Sequence, residues 1–162
     1  MSSRIEIKLP SRMEYLGIPD AILMEIGSER DCCRRSLEEL GTSLIEACTN
    51  AMEHGNKLAP DEFIEVIFEL DESVIVVTVL DNGNGFDYRN WQPSQELMRE
   101  RGRGILIMRE FCDELVFDRH TDGRFLVRLT KHLRAADEED ATDGTSDGTS
   151  DGTADGATDS AG

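Results

Sequence analysis

The sequence predicts an α+β domain: a two-layer α/β sandwich in which a mixed, mostly antiparallel sheet is covered on one face by helices. Three observations predict it. Apolar residues alternate with period two in five short stretches, each read as a strand. They recur at three- and four-residue steps in three longer stretches, each read as a helix. The order is strand, helix, helix, strand, strand, polar loop, helix, strand, strand, and the helices' apolar stripes need a sheet face to cover.

The first strand, 4–9, carries Ile5, Ile7 and Leu9 and stops at Pro10. Ser11 can cap a helix running to about Ile26, with Met13, Leu16, Ile22, Leu23 and Ile26 apolar. Gly17 and Pro19 place a kink or break in it. After a loop over 27–31, a helix over 33–54 places Leu37, Leu40, Leu44, Cys48 and Ala51 on one stripe. A loop with Pro60 leads to a strand over 63–70, with Ile64, Val66, Phe68 and Leu70 on one face. Asp71-Glu72-Ser73 turns the chain into a strand over 74–80, apolar on both faces except Thr78 and hence central. Residues 87–101 are polar and irregular, with room for a short helix over 94–99; a loop of that length is usually functional or mobile. A helix over 104–110 follows, then a hairpin of 115–119 and 124–130 across Thr121-Asp122-Gly123.

The domain is expected to span 1–134. From Ala135 the composition collapses into a tail of DGTS-like four-residue repeats, which cannot bury apolar surface and is expected to be disordered. The chain's net charge is −17, and the tail holds nine acids and no Lys or Arg, leaving −8 on residues 1–134. That balance excludes sequence-independent nucleic-acid binding, which needs clustered basic residues. No apolar run approaches the ~20 residues of a membrane span. The N-terminus MSSRIEIKLP lacks the apolar core of a signal peptide, so a cytoplasmic protein is expected. The cysteines, Cys32, Cys33, Cys48 and Cys112, show no metal-ligand spacing; Cys48 and Cys112 fall in helical apolar patterns as small core residues.

The stretch 40–57, LGTSLIEACTNAMEHGNK, organises the rest. Glu46, Asn50 and His54 sit four apart and share a helical face, and Gly55-Asn56 supplies the stop. Two glycine-bearing segments follow: Asp81-Asn82-Gly83-Asn84-Gly85-Phe86 and Gly102-Arg103-Gly104-Ile105. Alone, the first stretch reads equally as a solvated face and the second as a turn. Together the three resemble the N box and two glycine boxes of the Bergerat ATP-binding fold, shared by gyrases, MutL and sensor histidine kinases in the GHKL superfamily. EACTNAMEHGNK followed by DNGNGF looks most like the anti-sigma factor serine/threonine-protein kinases. The resemblance covers roughly residues 5–133.

The resemblance implies ATP and Mg²⁺, and the boxes offer a group for each part of them. Asp81, at the end of a buried strand, can accept a hydrogen bond from the adenine amino group, where guanine presents an oxygen instead. Gly83 and Gly85 permit positive φ and close backbone approach, and Phe86 belongs to the same cofactor-binding set. Asn50 matches the family's Mg²⁺ ligand, a neutral oxygen suited to that ion. Glu46 matches the family's general base, placed to act on an incoming hydroxyl. His54 is as suited to ending the helix as to touching ligand. Gly102, Gly104 and Ile105 open a helix whose free N–H groups form an anion site, with Arg101 and Arg103 adding positive charge or an exposed basic face. This is not a Walker A motif. The superfamily often places Thr after the glycine of its late hairpin; here Arg124 follows Gly123, so the resemblance carries no adenine contact over to that hairpin.

What the resemblance implies is an ATP-dependent serine/threonine-protein kinase that is also an anti-sigma factor. It would bind an alternative sigma factor and phosphorylate a small anti-anti-sigma (STAS-type) protein in a partner switch, and homodimers are common in the family. Two other readings stand beside it. One is a nucleotide-gated protein-binding module with little catalysis, which Glu46 disfavours. The other is a stand-alone histidine-kinase-type catalytic domain, against which counts the lack of room upstream for a phosphoacceptor helical hairpin.

Overall fold

The computed structural model describes residues 3–30, 32–89 and 102–135. Five strands form one sheet: β1 (Ser3–Pro10), β2 (Phe63–Leu70), β3 (Val74–Asp81), β4 (Glu114–Arg119) and β5 (Phe125–His132), in the order β1-β2-β3-β5-β4. All four pairings are antiparallel. Among the described residues the sheet therefore has none of the parallel pairing that a mixed sheet would carry. The cause is topological: the helical connections return each strand against, not along, its sheet neighbour. β3 is central, between β2 and β5, as its two apolar faces require.

Three helices cover one face: α1 (Gly17–Ser28), α2 (Arg34–Thr49) and α3 (Arg103–Phe111). Leu37, Leu40, Leu44 and Cys48 of α2 pack with Ile64, Val66 and Phe68 of β2, Val77 and Val79 of β3, and Leu129 of β5 in one core. The opposite sheet face buries only a small cluster of Ile67, Leu80 and Leu126. Cys48 is fully buried in the main core, and desolvation pushes its thiol up to about 12, so it packs as a small apolar side chain.

Two local expectations are revised and one is narrowed. Ser11 caps no helix; it is 1% exposed and its hydroxyl accepts a hydrogen bond from Asn56 Nδ2 at 2.7 Å. Of the expected kink or break, the structure has the break, a 3₁₀ turn at Met13–Tyr15 followed by α1 with Pro19 in its first turn, where its missing N–H costs nothing. The long central helix is α-helical only to Thr49 and continues as a π-helical turn, Asn50–Gly55. Single π turns inside helices are rare and gather at functional sites. The expected short helix over 94–99 and the acidic tail beyond Ala135 lie outside the described residues.

A buried cation ties the helix layer to the sheet. Lys131 of β5 is 6% exposed, and its Nζ donates to Phe111 O at the end of α3 and to Glu39 Oε2 of α2, both at 2.6 Å. Desolvation raises the Glu39 pKa, but hydrogen bonds from Lys131 and Arg35 outweigh it and hold the carboxyl below its ordinary value of 4.5. A carboxyl depressed by folding contributes stability that is present above its unfolded pKa and lost as pH falls through the folded one. Lys131→Met strands a half-buried carboxylate and an unpaired carbonyl, so it is expected to lower unfolding free energy by about 2 kcal/mol at pH 7. Urea melts should show the gap between wild type and variant narrowing below pH 4.5, as Glu39 takes up its proton.

Candidate nucleotide site

The site lies where the C-terminal end of β3 meets the π turn and the start of α3. Asp81 ends β3 at 4% exposure, and its Oδ1 accepts the Gly83 N–H at 2.7 Å. In the sheet register Asp81 lies beside Phe125 of β5, which lies beside Arg119 of β4. Gly55, closing the π turn, packs so tightly on the Asp81 carboxylate that a Cβ there would overlap it. Gly83 abuts Gly55 in turn; a Cβ on it would stand 2.6 Å from the Gly55 Cα. Gly85 takes the left-handed conformation, φ 67°, with its Cα against the Phe125 ring.

The other half of the site comes from α2 and α3. Gly104, in the first turn of α3, faces the helix that carries the polar row: a Cβ on it would lie 2.5 Å from Glu46 Oε2 and 3.6 Å from Asn50 Nδ2. Any larger residue there would displace the Glu46 carboxylate. Gly102 is the buried residue preceding α3 and makes no side-chain cap on the helix start, where the first N–H groups of a helix suit an anion. Arg103 begins α3 and is exposed.

Between the halves is a cavity of about 30 Å³, lined among others by Asn50, His54, Asp81, Phe86, Ile105 and Phe125. That volume holds one or two waters. A purine is several times larger than that volume. Phe86 and Tyr88 of the loop after β3 pack edge-on at the cavity wall, Phe86 lying 5.1 Å from the Phe117 ring at 73°.

The structure thus brings together Glu46, Asn50, Asp81, Gly83, Gly85, Phe86, Gly104 and Ile105, with Gly102 and Arg103 at the start of the same helix. Arg101 lies outside the described residues. His54 lines the cavity as well as standing in the turn that ends the helix. Glu46 is not part of the cavity lining; it lies at the α3 side of Asn50, so Asn50 alone belongs to both groups.

Sequence reasoning missed three contributors. Asn56, read as a helix stop, is 5% exposed; its amide donates to Ser11 Oγ at 2.7 Å and Phe63 O at 3.0 Å, while its carbonyl accepts the Asn82 N–H at 2.8 Å. It fixes the first residue after Asp81. The late hairpin, to which the resemblance carries over no adenine contact, supplies Phe117, Phe125 and Val127 to the cavity. Arg119 donates to the carbonyls of Gly83, Asn84 and Gly123. Alternation along β4 and β5 could have put Phe117, Arg119, Phe125 and Val127 on one face; nothing local marks Asn56.

Comparison with known proteins gives this arrangement its class. The family profile of the histidine kinase-like ATPase domain matches residues 9–131. The serine-protein kinase RsbW of Bacillus subtilis (strain 168) is 30% identical over 138 residues, covering 80% of this chain and 85% of that protein. RsbW of Bacillus licheniformis is 29% identical over 147 residues, covering 85% and 91%. The crystal structure of the RsbU and RsbW domains of Rv1364c from Mycobacterium tuberculosis superposes with a TM-score of 0.57 at 17% identity. It aligns with 81% of this chain, which spans 32% of that longer one, and the likeness carries the fold alone.

The chain belongs to the histidine kinase-like ATPase family. Within it, the chain falls in the group of serine/threonine-protein kinases that RsbW represents. No helix among the described residues is long and apolar enough to cross a membrane.

Proposed function

We propose that this chain is an anti-sigma factor kinase that transfers the γ-phosphoryl group of ATP to a serine or threonine hydroxyl of a small anti-anti-sigma protein of the STAS type. The observation that carries the reading is the convergence of Glu46 and Asn50 on Gly104, beside the cavity closed by Asp81. A site for a structural ligand needs no carboxylate there; a phosphotransferase does. Asp81 accepts the adenine amino group, and the start of α3 holds phosphate oxygens. The amide oxygen of Asn50 is a hard neutral donor fitting Mg²⁺, which when bound offsets the charge of the triphosphate. Glu46 orients the incoming hydroxyl and takes its proton as the oxygen attacks the γ-phosphorus and ADP departs.

The partners on this reading are an alternative sigma factor and the phosphorylatable antagonist, with a second copy of the chain as a further candidate. Phosphorylation of the antagonist frees the kinase for the sigma factor. The test is capture of partners from native lysate with and without ATP, followed by single-turnover transfer from γ-labelled ATP to each captured protein. Label appearing as phosphoserine or phosphothreonine on a small antagonist is the expected result. ATP-dependent capture without any transfer would replace the kinase reading with a nucleotide-gated binding module.

A further inference from the structure

Arg119 sits at the end of β4, outside every sequence motif, and its side chain reaches beyond its own hairpin. Its Nη1 donates to Gly123 O at 2.9 Å and to Gly83 O at 3.4 Å, and its Nη2 donates to Asn84 O. The guanidinium carbon is 6.0 Å from the centre of the Phe125 ring, itself part of the cavity wall. One planar cation thus joins the β4–β5 turn to two consecutive carbonyls of the loop that follows Asp81.

That loop has a second anchor. Asn82 is held through its N–H by Asn56 Oδ1 and through its side chain by Glu62. Asn56 and Arg119 therefore hold consecutive residues, Asn82 by its N–H and Gly83 and Asn84 by their carbonyls, and the Gly83 N–H binds Asp81 Oδ1. Glycine-bearing backbone at 83 and 85 has little stiffness of its own. Without a grip on its carbonyls the Gly83 N–H is free to leave Asp81, and the carboxylate loses the contact that sets its orientation.

We propose that Arg119 is a positioning residue of the nucleotide site, clamping residues 83 and 84 to the β4–β5 turn so that the Asp81 carboxylate is fixed for an adenine amino group. The proposal rests on the nucleotide-site reading above. A fixed acceptor discriminates between an amino group and an oxygen; one free to rotate does so less well. The clamp depends on the fork of guanidinium donors, which reach three carbonyls at once, whereas a lysine ammonium is a single point on a flexible stem.

The experiment is calorimetric titration of wild type, Arg119→Ala and Arg119→Lys with ATP and with GTP, beside a melting curve of each. Arg119 is exposed, so its hydrogen bonds are discounted to an effect of about tenfold. Expected in Arg119→Ala is roughly tenfold weaker ATP binding with GTP binding little changed, so that the ratio between them narrows. Millimolar guanidinium should restore ATP affinity to Arg119→Ala, and Arg119→Lys should fall between. Equal weakening of ATP and GTP with a lowered melting temperature would overturn the proposal in favour of a purely structural arginine. Wild-type behaviour in both variants would overturn it too, with ATP binding intact. Wild type failing to bind ATP at all would remove the nucleotide-site reading itself, and the clamp with it.

Discussion

Asp81→Asn is expected to weaken ATP binding by roughly 10²-fold while leaving the melting temperature close to wild type. The change keeps the volume of the side chain, which matters because Gly55 and Gly83 pack directly on it. It also keeps an oxygen for the Gly83 N–H. What it removes is the second carboxylate oxygen, replaced by an NH₂ group. A purine amino group then meets a donor where it needs an acceptor, at a side chain only 4% exposed, where an unmatched polar pair is costly. Calorimetry with ATP and a thermal melt decide it. Unchanged ATP affinity would mean that Asp81 reads no base and only holds its own loop.

The second large effect is a split between Glu46 and Asn50. Both approach Gly104, but only Asn50 also lines the cavity. Asn50→Ala should therefore lose Mg-ATP affinity and phosphoryl transfer together. Glu46→Gln keeps the shape against Gly104 but cannot take a proton. It should bind Mg-ATP as wild type does, yet transfer more slowly by about 10²–10⁴, the usual contribution of a general base. Single-turnover transfer run beside an ATP titration separates the two. Wild-type transfer by Glu46→Gln would show that the carboxylate is not the base and that the hydroxyl is activated by other means.

The residues that could be read in advance are those whose signal is local. Ile64, Val66 and Phe68 alternate because one sheet face is buried, and Leu37, Leu40 and Leu44 recur because one helix stripe is. The position of Asp81 at the buried end of β3 was legible because the apolar strand before it and the glycines after it are both local signals. Asn56 and Arg119 were not legible, because each acts by reaching backbone from a distant part of the chain, and such contacts leave no period in the sequence. Ser11 misled for the same reason: its local signal as a helix cap is real, but Asn56, 45 residues away, claims the hydroxyl. The π turn escaped because Glu46, Asn50 and His54 keep a four-residue spacing whether or not the ladder widens after Thr49.

The β3–β5 pairing has a consequence for how the molecule assembles. β3 and β5 are sheet neighbours, yet everything from residue 82 to 124 separates them along the chain. The amino-terminal portion, β1 to β3 with α1 and α2, carries Glu46, Asn50 and Asp81; the carboxy-terminal portion carries Gly104, Phe117 and Phe125. Closing so long a loop is entropically costly and comes late in folding. Neither portion alone holds a complete binding surface, so a ligand that touches Asp81 and the start of α3 at once bridges the seam between them. On the nucleotide-site reading, ATP bound there would act as a cross-link, its binding free energy opposing separation of the two portions.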